Sequence, residues 1–381
     1  MELKIKSMLA VAMMTAVAFS AASCSDDDDD NNGSSTESEM KELCAKANAD
    51  FVNNTVIPTY TGLMNANEDL LDAIEDPQSQ SDIDKACEAW KTARQYWEWS
   101  EAFLFGAASN YGIDPHTDTW PFDTTKFDQY MSKYDPSNDE TDAAIVEEAI
   151  VTGQNFTGFH AVEYLLFRNG QPRKIEDITD NELWFCQTAA NDLYLNSIKL
   201  VAAWGGELDE DQEDALEEAE MEPEDDFGDE LTNAGKAGSR WKTELAGVQQ
   251  IISGCTNILD EVANAKIGAP HSGEDESYIE SPHAYNSVQD FTDNTLSCQY
   301  AIYGKLGATS AQPNSVMSIA KSKCPIEAEA VESALANAVA KVKAIKTPFV
   351  IYYKDASAQT AIDALQAFSK ALGEMSDALA K

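Results

Sequence analysis

Two stretches of the chain place charged side chains where an apolar stripe would run. Between Ile83 and Phe105, Trp90, Arg94, Trp97 and Glu101 recur at steps of four, three and four, which is one face of a helix. Phe156, His160, Glu163 and Phe167 repeat the same steps. Charged residues on a core-facing stripe stay buried only when paired or bound to something. His160 and Glu163, at i and i+3, put an imidazole nitrogen and a carboxylate on one side of a helix, within reach of a single cation. In carboxylate-bridged metal bundles such pairs supply two of the ligands. The plainer reading of each stripe is structural: an Arg94–Glu101 ion pair, and a hydrogen-bonded His–Glu pair in the core.

The elements that must position these groups read almost everywhere as helix. Apolar spacing is helical from Leu183 to Trp204, and Ile362, Leu365, Phe368, Leu372, Met375 and Leu379 form an amphipathic stripe. Ala328 to Ala344 is Ala-rich, which favours helix. The best strand candidate, Phe349 to Tyr353, is short. The expected fold is all-α, two helical bundles over residues 41–206 and 236–381. Between them, 15 of the 24 residues from Glu207 to Glu230 are acidic and none is Lys or Arg. Like charges at helical spacing destabilise a helix, so 207–235 is expected to be an exposed loop, a frayed helix or an insertion. A calcium loop beginning at Asp209 fails at its sixth position, Asp214, where the turn needs Gly.

The chain has 381 residues, with 26 basic against 67 acidic, a formal charge of −41. Such a surface repels phosphate and excludes nucleic acid as a partner, while admitting metal ions or basic peptides. Lys4 and Lys6 precede an apolar run from Met8 to Phe19 and then small residues up to Cys24, the pattern of a signal peptide over 1–23. Cys24 stands where a bacterial lipoprotein is lipidated. Asp26 to Asp30 then open an acidic tether over 24–40, a run that resembles the surface-export signal of Bacteroidetes lipoproteins. These features predict an outer-membrane lipoprotein, at the periplasmic face or the cell surface, held by an anchor and not by a span. The other six cysteines are widely scattered, which favours buried thiols or one or two bridges over a zinc cluster.

Other chemistries lack their signatures. Neither HExxH, GxSxG, GxGxxG nor GxxxxGK[ST] occurs. Glu280-Ser-Pro-His283 could complete a site with His160 and Glu163 if it faced the first bundle, with Ser281 capping a helix that starts at Pro282. His116 and His271 read as loop residues.

Gly158-Phe-His160-Ala-Val-Glu163 resembles the GxHxxE signature of the imelysin family, also called peptidase family M75. Trp90 to Gly106 resembles that family's W-x3-R…SEAFxFG segment, and Trp120-Pro121 its WP pair. Ser281 through Asp290, Asn294 and Tyr303-Gly304 resemble the S…D…N…YxG segment, followed by Thr347-Pro348-Phe349. The resemblance covers about residues 41 to 381. It implies two helical bundles with a site near their interface, a link to bacterial iron uptake, and an unsettled peptidase activity.

Combined, these readings predict a lipid-anchored protein that binds iron or an iron-bearing ligand, with zinc as the alternative metal and an outer-membrane transporter as a partner. His160, Glu163 and Glu101 are the expected ligands. Arg94 and Ser281 are expected to orient a carboxylate or hold part of the ligand. No catalytic residue is assigned. The rival is a metallopeptidase in which Glu163 serves as zinc ligand or as the base that activates water.

Overall fold

The computed structural model describes residues 33–135 and 156–381. The leader over 1–23, Cys24 and the acidic tether up to residue 32 lie outside the described residues. Residues Glu39–Lys381 form one compact unit.

The fold is all-α. Helices α1 (Gly33–Phe51), α2 (Ile57–Ile74), α3 (Gln80–Glu98), α4 (Phe159–Leu166), α5 (Asp180–Ala203), α6 (Glu244–Glu261), α7 (Ser287–Tyr303), α8 (Pro325–Lys343) and α9 (Ala356–Leu379) follow one another, with shorter turns between them. The start of α1 takes in residues 33–40, which the sequence reading gives to the tether. α2 packs on α3 and α5, α6 on α7 and α9, and α8 on α9; α7 also lies against α3. Among the described residues no helix is long and apolar enough to cross a membrane.

Local chemistry sets the helix ends. Thr179 and Glu182 form a reciprocal capping box at the start of α5, Thr243 and Asp355 cap α6 and α9, and Pro325 opens α8 at its first position. The core is aromatic where the stripes meet: Trp90, Trp97, Phe103 and Phe159 are fully buried.

The structure departs from the sequence expectations at four places. The helix predicted through Phe105 stops at Glu98, because the Ser100 hydroxyl and backbone N–H both bond to the Trp97 carbonyl, at 2.7 and 2.8 Å, and tighten the chain into a 3-10 turn over Glu101–Phe103. Phe349–Tyr352 is a helical turn following Pro348, not a strand. The strands that are described are β1 (Phe167–Arg168) and β2 (Gln171–Pro172), an antiparallel hairpin. The acidic stretch contains two short helices, Glu210–Glu218 and Phe227–Thr232. Their first turns hold carboxylates beside free N–H groups, and Leu216, Phe227 and Leu231 anchor them in the core. Asp209, the first position of the calcium pattern, is a helix cap.

Among the described residues the six cysteines are all free and buried.

Candidate metal site

The GxHxxE stretch starts with a close backbone approach. Gly158 has φ +84°, and a β-carbon on it would fall 2.3 Å from the Thr117 carbonyl oxygen. Glycine therefore lets α4 settle onto the segment that ends in Asp118. The two stripe tryptophans hold this arrangement. Trp90 Nε1 donates to the Phe159 carbonyl and Trp97 Nε1 to Asp118 Oδ2, each at 3.0 Å.

His160 then points into a nest of carboxylates. Its Nδ1 lies 3.1 Å from Glu163 Oε2, and its Nε2 lies 3.2 Å from both Asp118 Oδ1 and Glu280 Oε1. Burial disfavours an imidazolium, but hydrogen bonding to these three carboxylates outweighs it and holds the pKa well above the usual range.

Arg94 is the hub of the nest. Its guanidinium contacts Glu98 and Glu280, reaches Asp118 Oδ1 at 2.6 Å, and lies 3.9 Å from Asp290 Oδ1. Lys266 adds a second buried cation, 3.4 Å from Glu280 Oε2.

Beside the nest lies a cavity of about 280 Å³ lined by Glu101, Asp114, Asp118, Trp120, Glu261 and Lys266, among others. A further cavity of about 200 Å³ shares Glu101, Leu104, Asp114 and Glu261 with it, so the two make one acidic cleft. Glu101 is only 7% exposed, and among the described residues its carboxylate has no hydrogen bond or ion pair. Burial, opposed by Lys266, drives its pKa well up, and burial drives Asp114 to about 7 with help from Asp118 and Glu261. The fully buried Glu98 is also raised, although Arg94 opposes the shift, and Asp290 rises to about 7. Asp118 is held well down: burial acts against ionisation, but Arg94 and His160 overcome it.

Gly254 closes the cleft floor, since a β-carbon there would meet the Ala102 carbonyl oxygen at 2.0 Å. That approach seats α6 directly on the turn carrying Glu101.

The family model described as imelysin (peptidase M75) matches residues 56–377. The chain belongs to the imelysin family. Iron-regulated protein A of Synechococcus elongatus is 28% identical over 247 residues, covering 64% of this chain, and this imelysin spans 60% of that relative's length. Its fold is that of an iron-regulated protein A precursor from Parabacteroides distasonis, with TM-score 0.76 and 23% identity over 89% of this chain and 95% of that one. It also matches an imelysin-like protein from Psychrobacter arcticum, with TM-score 0.64 and 15% identity over 87% and 93% of the two chains.

Of the residues expected from sequence to be ligands, His160 and Glu163 stand side by side in this imelysin, while Glu101 lies apart from them beside Glu98 and Asp118. Glu163 does not share an open position with His160. Its Oε1 accepts from the backbone N–H groups of His283 and Ala284 at 2.7 and 2.8 Å, and its Oε2 faces His160 Nδ1. It sits behind the imidazole, fixing the ring and leaving Nε2 turned towards Asp118 and Glu280. Glu101 stands on the other side of Asp118. Potential ligand atoms within 4.8 Å of one another come from Asp118, His160 and Glu280, from Glu98, Glu101 and Asp118, and from Glu98, Glu280 and Asp290. Arg94 is at the centre of this array and not at its edge. Ser281 is fully buried with its hydroxyl against Asp290. It caps no helix: Ser281 and Tyr285 both have positive φ, so the chain cannot begin a helix at Pro282 and α7 starts only at Ser287. That winding is what delivers the two N–H groups to Glu163.

Glu280 joins the nest as the weighed alternative foresees, whereas the His283 ring packs edge-on against Tyr164, 4.9 Å between centroids. His116 pairs with Asp192 at 2.6 Å, and His271 Nδ1 lies 2.8 Å from the Tyr353 carbonyl oxygen. Glu98, Asp114, Asp118, Glu261 and Lys266 were not singled out by sequence, whereas Asp290 was named within the S…D…N…YxG resemblance. Of those five, only Glu98 carried a signal, one helical turn after Arg94.

The residues present suit a metal cation. Arg94, His160 and Lys266 supply three positive groups against eight carboxyls: Glu98, Glu101, Asp114, Asp118, Glu163, Glu261, Glu280 and Asp290. The side chains of Glu98, Glu101, Asp118, Glu163, Glu280 and Asp290 are buried, Asp114 is half-buried and Glu261 exposed, and the buried six alone exceed the three positive groups, so they must hold protons or meet an added positive charge.

Proposed function

We propose that this imelysin is an exported, lipid-anchored protein that binds iron in its acidic cleft and serves iron uptake at the outer membrane. The observation that carries the reading is Glu101, a largely buried side chain whose carboxylate opens onto the cleft without a protein partner. Glu101, Asp118 and Glu98 would hold the ion through oxygen, and His160 Nε2 offers one nitrogen next to Asp118 and Glu280. An oxygen-rich set with one imidazole suits iron better than the sulfur- or imidazole-rich sets typical of structural zinc. The iron-regulated relative points the same way. In this reading the helix groups over 41–206 and 236–381 act as two bundles that each contribute to the site. Lipidation of Cys24 would tether the protein near a transporter that receives the ion. As a peptidase base, Glu163 would need an oxygen free to take a proton from water, and both of its oxygens are held in a fully buried position.

Metal content and Fe(II) titration of the purified protein under argon, in high-salt buffer, test the proposal. Wild type is expected to bind, Glu101→Gln to lose at least about tenfold in affinity, and His160→Ala to weaken binding further than salt alone does. Equal metal content in all three proteins would overturn it.

A further inference from the structure

α6 ends at Glu261, and Val262–Lys266 continue it as a π-helical turn. In an α-helix residues five apart sit about 140° apart around the axis. A π turn bonds i to i+5 and brings such residues onto one face, a device that recurs at functional sites. Here it aims both Glu261 and Lys266 into the cleft.

Lys266 is 2% exposed, a depth at which lysine is rare unless paired. Its ammonium is nonetheless held loosely. The nearest carboxylate oxygen, Glu280 Oε2, is 3.4 Å away, and the Trp120 ring centroid is 5.6 Å away. Glu98, Glu101 and Glu261 act on it only through their fields. Arg94, by contrast, is locked by close contacts on several sides. One buried cation of this site is therefore a fixed strut, while the other borders open volume on a flexible four-carbon stem.

Resting on the metal-site reading above, we propose that Lys266 is a tethered counter-cation that occupies the carboxylate field in the metal-free protein and is displaced when a polyvalent ion enters. The consequence is selectivity. A sodium or potassium ion brings no more charge than the ammonium already present at high effective concentration, so it cannot replace it. A divalent or trivalent ion brings more charge to the same oxygens and wins. Lys266 thus lowers affinity for every cation but removes monovalent competitors.

The test uses Mn(II) alone, with free ion counted by electron paramagnetic resonance, on wild type, Lys266→Met, Lys266→Gln and Lys266→Arg, in 10 and 300 mM KCl. At low KCl the Met and Gln variants are expected to bind about tenfold tighter than wild type and to lose most of that gain in high KCl, while Arg keeps the wild-type pattern. Without metal the two neutral variants should unfold at lower temperature, and Mn(II) should restore them. If they fold only when Mn(II) is present, the ion has replaced the ammonium and the proposal stands. Unchanged or weaker Mn(II) binding by the neutral variants, or failure to fold even with Mn(II), overturns it. Glu101→Gln separates this from the parent reading: if wild type and Glu101→Gln bind Mn(II) equally, the metal site itself is wrong. If Glu101→Gln weakens binding while Lys266→Met leaves it unchanged, only the role of Lys266 falls.

Discussion

The α-carbon of Gly158 rests against the carbonyl of Thr117, so closely that a β-carbon would sit 2.3 Å from that oxygen. This contact sets the spacing between α4, which carries His160, and Asp118, which faces it. Gly158→Ala adds both this overlap and an unfavourable positive φ. The expected cost is about 2–4 kcal/mol, read as a lower urea midpoint, with metal affinity falling alongside stability. A variant as stable as wild type would show that the approach is not needed.

Glu163→Gln separates positioning from binding. The amide oxygen can still accept from His283 and Ala284, so the fold should survive with a loss of about 1–3 kcal/mol. Its NH2 group, however, would face His160 Nδ1, removing the proton that Glu163 holds on that nitrogen and leaving the remaining one on Nε2. Metal affinity is then expected to fall about 10–100-fold while helicity is retained. Nitrogen NMR of the imidazole would report the tautomer change directly.

Stability of the metal-free protein should decline as the pH rises from about 5 to 8. Asp114 and Asp290, both raised to about 7, and Asp293, on α7 beside Trp99 and Gln289 and raised by burial to about 6, bind protons in the folded state that the unfolded chain has already lost. Their contribution is complete below the ordinary carboxylate range and disappears as pH passes through 6 to 7. Asp118 and Glu280, whose pKa values are lowered, contribute in the opposite sense only at more acidic pH. Thermal unfolding from pH 5 to 8, with and without Fe(II), should show the largest metal-induced rise in Tm at the alkaline end. A rise that is flat across this range would argue against cleft carboxylates as ligands.

The thiols should be inert in the native state. Burial pushes Cys44 up to about 11 and Cys87 to about 12, and raises Cys186 and Cys255 as well. Iodoacetamide at pH 8 is expected to leave all six described cysteines unmodified until urea is added, with intact mass as the readout. Native alkylation of any of the six would contradict the packing around it.

The fold class was legible because helical periodicity survives in the sequence wherever one face is buried, as from Leu183 to Trp204. Arg94, Glu101, His160 and Glu163 were legible for the same reason: each interrupts such a face. Asp118, Asp114 and Glu261 were not. They occupy short turns or helix ends, in a chain so acidic that three more carboxylates stand out by neither type nor spacing. Lys266 was hidden by the π turn, which shifts it off the α-helical register that a periodicity reading assumes. The bonds that hold Glu163 were not legible either, since its backbone partners lie some 120 positions along the chain and leave no trace in side-chain identity.

Those two amide bonds to Glu163 act as a latch across the sequence. Prising the 280–286 crossing away from α4 would leave the fully buried Glu163 without its two backbone donors, so these two stretches of chain are expected to part only when the protein unfolds.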